Sequence, residues 1–134
     1  YAGVKCLNLD SQISEIFSIN KIIPSAGQGV IALQCRKKDY KIISILKKIN
    51  HIETYKKAHA ERNILKVLEG DCETAVGAHA TIVKNKITLE AELFSQDGKL
   101  RFYEKKTSTL DRFNELGIEV GQSLKTKSNN SYKK

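Results

Sequence analysis

Hydrophobic residues recur with a period of two through much of the C-terminal half of the chain. Apolar and polar residues alternate over residues 78–83 and again over 87–93, as in strands that bury one face. The pair Asp97-Gly98 is typical of a hairpin turn, and a third strand-like run begins at Leu100. The pattern therefore predicts three consecutive antiparallel strands whose apolar face needs a cover.

A period near that of an α-helix flanks these strands on both sides. Asn50 is predicted to cap the first helix, and Gly70 to follow its last turn. The last helix is predicted to open at Ser108 or Thr109. Its apolar side is formed by Phe113, Leu116, Val120 and Leu124. Residues 50–126 are thus predicted to form an α+β domain, a three-stranded antiparallel sheet covered by helices.

Residues 1–49 show a different pattern. Residues 24–29, PSAGQG, indicate a loop, and the apolar run 30–35, VIALQC, predicts a buried strand. Asp39 is predicted to cap a helix that continues to about Ile49. Because one strand cannot pair its backbone alone, this loop–strand–helix segment is predicted to be the incomplete end of α/β domains whose other strands are missing.

The net charge of +8 raises the question of nucleic-acid binding, so its distribution matters. Residues 125–134 contain four lysines and no acid, which leaves 8 − 4 = +4 for the remaining chain. Residues 127–134 are predicted to be a disordered basic tail. The other charges are spread over helix faces that also carry acids, without a platform of aromatic and basic residues. We therefore expect no nucleic-acid partner.

Composition also limits the location and the metal chemistry. No apolar run approaches the roughly 20 residues that span a bilayer, and the N-terminal residues lack the layout of a signal peptide. The three cysteines form no CxxC pair or Cys/His cluster, so no metal site is expected. Cys6 and Cys35 are predicted to be buried small residues. We expect a cytoplasmic protein without a membrane partner, of which this chain is a fragment.

Two residues carry candidate chemistry. Cys72 follows a predicted helix end and lies among Glu69, Asp71 and Glu73, and this negative surrounding disfavours a thiolate. That argues against a cysteine protease or a redox sensor, whereas a packed loop residue stays possible. Arg62 falls in the apolar stripe of a predicted helix, which leaves two interpretations open. In one, its methylene groups are buried and its guanidinium forms a surface salt bridge; in the other, the guanidinium faces an anion at the edge of a site.

Two motifs occur in a fixed order along the chain. The first is IPSAGQGVIALQCR at residues 23–36; the second is AER at 60–62 followed by LEGDCETAVGA at 68–78. They resemble LPAVGQGALGIECR and AER…LEGGCQVPIGA of the porphobilinogen deaminase (hydroxymethylbilane synthase) family. The resemblance covers residues 1–126 and corresponds to the C-terminal portion of that family.

The resemblance implies a cytoplasmic transferase of tetrapyrrole (haem) biosynthesis. Such enzymes join four porphobilinogen molecules into 1-hydroxymethylbilane and release ammonia at each step. The product is built on a covalent dipyrromethane cofactor, held by a thioether to a loop cysteine that corresponds to Cys72, with Gly70 and Asp71 beside it. Arginines at the site would bind the acetate and propionate groups of the pyrroles. The positions that match the family's cleft are Gly27, Gln28, Gly29, Arg36 and Arg62.

The resemblance also explains a thiol in acidic surroundings. The azafulvene that forms when porphobilinogen loses ammonia is electrophilic enough for an unactivated thiol to capture it. The family's catalytic carboxylate belongs to an N-terminal domain, so no catalytic residue is expected in this chain. We therefore expect the 134-residue chain alone to be inactive and the full-length form to be a monomer.

The chain departs from the family pattern in the cysteine loop. Asp71 replaces a glycine, and Glu73-Thr74-Ala75 replaces a stretch that is commonly Gln-Val-Pro, which changes the expected stiffness of the loop. Two other classes stay open at this point: a non-catalytic binding module derived from this domain, and a basic nucleic-acid domain.

Overall fold

The computed structural model describes residues 1–70 and 73–133. Its helices are α1 (Ala2–Cys6), α2 (Tyr40–Ile49), α3 (Ile52–Leu68) and α4 (Phe113–Ser128), and its strands are β1 (Val76–Val83), β2 (Lys86–Phe94) and β3 (Arg101–Thr109). Single 3-10 turns cover Asp10–Gln12 and Leu110–Arg112.

The three strands form one antiparallel sheet in the order β1-β2-β3. Ala78 lies opposite Ala91, which lies opposite Glu104 on the third strand. Gly98 in the second hairpin has φ +72, which the predicted Asp-Gly turn requires. The predicted α+β class, with helices over a three-stranded sheet, is confirmed.

Helices α3 and α4 cover the apolar face of the sheet and close the core. The largest fully buried side chains come from α3, β2 and α4: Ile64, Leu68, Ile87, Leu89, Leu93, Leu116, Val120 and Leu124. The two helices approach closely at Gly117, where a Cβ would collide with the carbonyl oxygen of Ala60. A Cβ on Gly121 would lie 2.9 Å from Cβ of Val67. Glycine is therefore what permits this helix pair to pack.

Residues 1–49 add almost nothing to that core. Ile23 is their single buried residue, and α1 and α2 contain none. Asp39 caps α2 as predicted, because its Oδ1 accepts from the Ile42 amide at 3.2 Å. The predicted strand at 30–35 does not form in this chain, since a strand needs a partner for its backbone and no described strand lies beside it.

The cysteines of this segment were predicted to be buried, and that is wrong. Cys6 is exposed and Cys35 is partly exposed. The apolar residues around them have no core to enter, and large side chains such as Ile31 (90% exposed) lie at the surface. Local apolarity alone does not bury a residue.

Three helix boundaries differ from prediction. His51 rather than Asn50 caps α3, with its Nδ1 accepting from the Thr54 amide at 3.3 Å. Helix α3 ends with Glu69 in the left-handed region (φ 54), one residue before the predicted Gly70. Helix α4 starts at Phe113 rather than at Ser108 or Thr109, because β3 continues through Thr109.

The predicted disorder of residues 127–134 is contradicted for 127–133. Helix α4 continues to Ser128, and Tyr132 is 6% exposed with its hydroxyl donating to the Leu68 carbonyl at 3.0 Å. The lysine-rich composition of this segment did not indicate that its aromatic residue, Tyr132, is buried against the domain.

Two absences can be stated for residues 1–70 and 73–133. None of their helices has the length and apolar character needed to cross a bilayer. Their His, Cys, Asp and Glu side chains form no group of three that could hold a metal ion.

Candidate functional site

The connection between α3 and β1 is fixed at both of its ends. At its start the Gly70 amide donates to the Leu65 carbonyl at 3.1 Å. At its end the Ala75 carbonyl accepts from the Phe94 amide at 3.0 Å. A Cβ on Gly70 would lie 3.3 Å from Thr74, so these two residues lie close together. The predicted site residues Asp71 and Cys72 lie outside the described residues.

The glycine loop at residues 24–29 docks on the start of β1. Ser25 forms an isolated bridge with Gly77, and the Ala78 amide donates to the Pro24 carbonyl at 2.9 Å. A Cβ on Gly77 would lie 2.8 Å from the Ile23 carbonyl oxygen, so only glycine admits this approach. The loop that matched the family's cleft therefore belongs to the same surface as the strand that follows the cysteine.

Glu61 joins that loop to the sheet, and the sequence analysis did not identify it. Its side chain is buried, with the residue 7% exposed. Its Oε2 accepts from the Gly27 amide at 2.8 Å, and its Oε1 accepts from the Ala80 amide at 2.9 Å. The available signal was an acid beside Ala60 in the AER motif, on the buried side of a helix.

Arg62 lies beside the same loop. A Cβ on Gly27 would be 3.8 Å from Cγ of Arg62, so the arginine stem passes over the glycine. The residue is exposed, and it makes no ion pair or hydrogen bond within the described part of the chain. The surface salt bridge that one interpretation predicted for Arg62 is therefore absent among the described residues. Burial, and then the charges of Lys66 and Arg62, hold the pKa of His59 below its usual value.

Arg36 and Gln28 are less closely tied to this group. Arg36 has a side chain that is 90% exposed and pairs at 3.2 Å with Asp39, the cap of α2. Gln28 is exposed, and its amide donates to the Ser25 carbonyl at 3.3 Å. In the described structure, Arg36 forms no hydrogen bond or ion pair with Arg62 or with residues 27–29. The structure thus brings Gly27 and Arg62 into contact, whereas Arg36 pairs with Asp39.

The acidic surroundings of the cysteine are partly neutralised. Nζ of Lys133 lies 2.7 Å from Oε2 of Glu69, and Nζ of Lys125 lies 3.5 Å from the same atom. The hydrogen bond from Lys133, followed by the charge of Lys125, lowers the pKa of Glu69 below its ordinary value. The count of acids in the sequence therefore overstates the negative field where this loop begins.

Comparison with known proteins gives two matches to one family. Residues 55–126 match a model described as porphobilinogen deaminase, C-terminal domain. Residues 1–44 match a model described as porphobilinogen deaminase, dipyromethane cofactor binding domain. This chain belongs to the porphobilinogen deaminase family. The resemblance seen in the two motifs is confirmed.

Curated members of the porphobilinogen deaminase family agree with this assignment. Porphobilinogen deaminase of Desulforamulus reducens is 35% identical over 123 residues, which covers 92% of this chain and 40% of the relative. That of Carboxydothermus hydrogenoformans is 36% identical over 127 residues, 95% of this chain and 41% of the relative. Porphobilinogen deaminase of Coxiella burnetii is 33% identical over 123 residues, which covers 92% of this chain and 40% of the relative. The chain thus spans about two fifths of the length of these relatives.

The described residues are compatible with the cofactor that the family model names. A dipyrromethane carries acetate and propionate carboxylates, which need cationic or N–H donors. Arg62 offers a guanidinium that has no partner among the described residues, beside a loop held by Glu61. A guanidinium at this position is a suitable donor for the carboxylates of a dipyrromethane.

Proposed function

We propose that the full-length protein containing this chain is a hydroxymethylbilane synthase. It would join four porphobilinogen molecules into 1-hydroxymethylbilane with loss of one ammonia for each molecule. The substrate is porphobilinogen, and the working form is a cytoplasmic monomer. The proposal is supported by the match of both family models and by the length of the relatives, of which this chain is a part.

Within that enzyme we assign this chain the role of anchoring and orienting the cofactor. Cys72 is the thioether ligand, and Gly70 and Asp71 flank it. When bound, the dipyrromethane supplies the unit on which the product is built. The thiol sulfur would bond to the methylene carbon of the azafulvene that porphobilinogen becomes on losing ammonia, and the ring nitrogen would gain a proton in place of the one that the thiol gives up.

The observation that carries this role is the arrangement around α3. The guanidinium of Arg62, which has no hydrogen-bond or ion-pair partner among residues 1–70 and 73–133, lies six residues before the end of the helix, about 9 Å along its axis. The residues that continue from that helix end lead to Cys72. Arg62 is proposed to bind a pyrrole carboxylate, while residues 27–29 line the cleft beside it. Arg36 is proposed to act at the far side of the same cleft. No catalytic acid or base is assigned in this chain.

The test is intact-protein mass spectrometry of the full-length protein and of its Cys72→Ser variant. The wild type is expected to carry the mass of two porphobilinogen molecules minus two ammonias, and Cys72→Ser to carry none and to lose turnover. Serine is nearly isosteric with cysteine, so the substitution should change the free energy of unfolding by no more than about 1 kcal/mol.

Cys6→Ser and Cys35→Ala are demanding controls, because both thiols are at least partly accessible. Both variants should keep the added mass. The 134-residue chain alone should consume no porphobilinogen, because the family's catalytic carboxylate lies in another domain. An added mass that survives Cys72→Ser, or that maps to a peptide with Cys6 or Cys35, contradicts the assignment. A full-length protein without activity would favour a non-catalytic binding module.

A further inference from the structure

The carbonyl end of α3 is completely capped. The last four carbonyls of a helix have no partner within it. Here the amides of Gly70 and Glu69 donate to the Leu65 and Lys66 carbonyls at 3.1 and 3.3 Å. The other two carbonyls receive donors from the C-terminal region: Nζ of Lys125 lies 3.3 Å from the Val67 oxygen, and the Tyr132 hydroxyl lies 3.0 Å from that of Leu68.

The same region also holds the side chain of Glu69. This residue lies in the left-handed region, where a non-glycine residue needs support from its surroundings. Lys133 at 2.7 Å and Lys125 at 3.5 Å both contact its carboxylate. The residue that directs the chain from α3 toward the cysteine is therefore fixed through both its backbone and its side chain.

The C-terminal segment, residues 129–133, is itself built into the domain. Asn129 and Asn130 both have positive φ (45 and 59), so the chain turns sharply after α4. Asparagine tolerates that conformation better than most residues. The Gln96 amide then donates to the Ser131 carbonyl at 2.9 Å, which ties the segment to the turn that follows β2. Tyr132 and Lys133 therefore reach α3 from a fixed support.

We propose that the C-terminal segment, together with Lys125, is a clamp that positions Glu69 and Gly70 for attachment of the cofactor at the cysteine that follows. The inference rests on the proposed function of Cys72. Tyr132 acts through the helix carbonyl and Lys133 through the Glu69 carboxylate; neither is a catalytic residue. The clamp has a direct physical role, since it restricts the end of α3 and Glu69.

The experiment uses the full-length protein with Tyr132→Phe, Lys133→Gln and the double variant. Hydrogen exchange is measured for amides of residues 65–70 and 73–75. In parallel, the protein made without cofactor is mixed with porphobilinogen, and the gain of mass is followed in time. Each single variant should exchange about fivefold faster in this region, the factor expected from one lost hydrogen bond. Each should also gain the added mass more slowly, and the double variant most slowly.

Two controls separate positioning from general loss of stability. Lys127→Gln removes a lysine of α4 that contacts Glu104 and the Tyr103 carbonyl on β3, so it should leave exchange in the loop and the loading rate unchanged. Lys133→Arg keeps a cation for Glu69 and should restore loading. Exchange of the β2 amides should stay at the wild-type level in Lys133→Gln, because the Lys133 and Glu69 side chains lie at the surface, outside the core with which β2 opens.

The outcomes distinguish the two proposals. A wild type that carries the added mass on Cys72, with variants that load and exchange at the wild-type rate, overturns the clamp alone. Faster exchange in Lys133→Gln that spreads equally to β2 also overturns it, because the tail would then be only a general stabiliser. A wild type without any mass on Cys72 overturns the proposed function, and with it the role of the clamp in attachment.

Discussion

Helix α2 has a clearer apolar face than helix α3, yet only α3 contributes buried residues in this structure. Helix α3 buries Ala60, Ile64 and Leu68 against α4 and the sheet. Helix α2 buries no residue, and its apolar residues Ile42 and Ile45 are exposed. A periodic apolar face shows that a helix needs a cover, but it does not show whether the same chain supplies one. Residues 50–133 contain their own cover, whereas residues 1–49 do not.

The two regions are nevertheless joined at one place. Residues 23–29 contact β1 through Gly77 and Ala78, and they contact α3 through Glu61. The joint is made of backbone hydrogen bonds, one carboxylate and two small contacts with the core, the buried Ile23 and the partly buried Ala26. It can therefore hold the glycine loop in place without making the rest of residues 1–49 part of the folded unit.

The largest expected effect is a contrast in hydrogen exchange within this 134-residue chain. Amides of β2, in the centre of the sheet, should exchange at least about a thousandfold more slowly than amides of α2, because β2 opens only with the whole core. Exchange measured by mass spectrometry on peptides from both elements tests this. Equal protection of the two would mean that residues 1–49 unfold together with the core.

The second effect comes from a matched pair of glycine substitutions. Gly117→Ala places a methyl group against the Ala60 carbonyl and should lower the free energy of unfolding by about 3 kcal/mol. Gly3→Ala lies in α1, where a Cβ would meet nothing within 4 Å, so its effect on the unfolding of the core should stay within about 0.5 kcal/mol. Urea denaturation followed by circular dichroism measures both. A similar loss in both variants would contradict the division into two regions.

A smaller effect is expected at the joint. Gly77→Ala should cost about 1–2 kcal/mol, because its Cβ would lie 2.8 Å from the Ile23 carbonyl oxygen. It should also speed exchange of the Ala78 and Gly27 amides, which are bonded across the joint. Val83→Thr, at an exposed site on the same strand, serves as the control. Unchanged exchange at Gly27 would show that the loop is held by other contacts.

The features that sequence predicted best depend on near neighbours. Strand alternation over β1 and β2, the cap at Asp39, the Asp97-Gly98 turn and the seam of α4 all depend on spacings of a few residues. Such spacings encode how a segment folds once it has a partner. These spacings do not depend on where that partner lies. They can therefore be read from a chain that spans only about two fifths of the length of its relatives.

The features that sequence missed depend on distant partners. Tyr132 bonds to Leu68, 64 positions earlier, and no local pattern marks that contact inside a lysine-rich segment. Glu61 accepts hydrogen bonds from amides 34 and 19 positions away, while its neighbour Arg62 drew attention because it interrupts an apolar stripe. For the site, the motifs identified the loop at residues 27–29 and Arg62, but only the fold shows what connects them.

The hydrogen bonds at the start of β1 also protect the sheet from association with other copies. β1 is an outer strand, and an outer strand with free amides is a template for another chain to pair with. Pro24 and Glu61 already occupy the amides of Ala78 and Ala80. Loss of the glycine loop would free the Ala78 amide at that edge, so residues 24–29 block part of an outer strand from pairing with another chain.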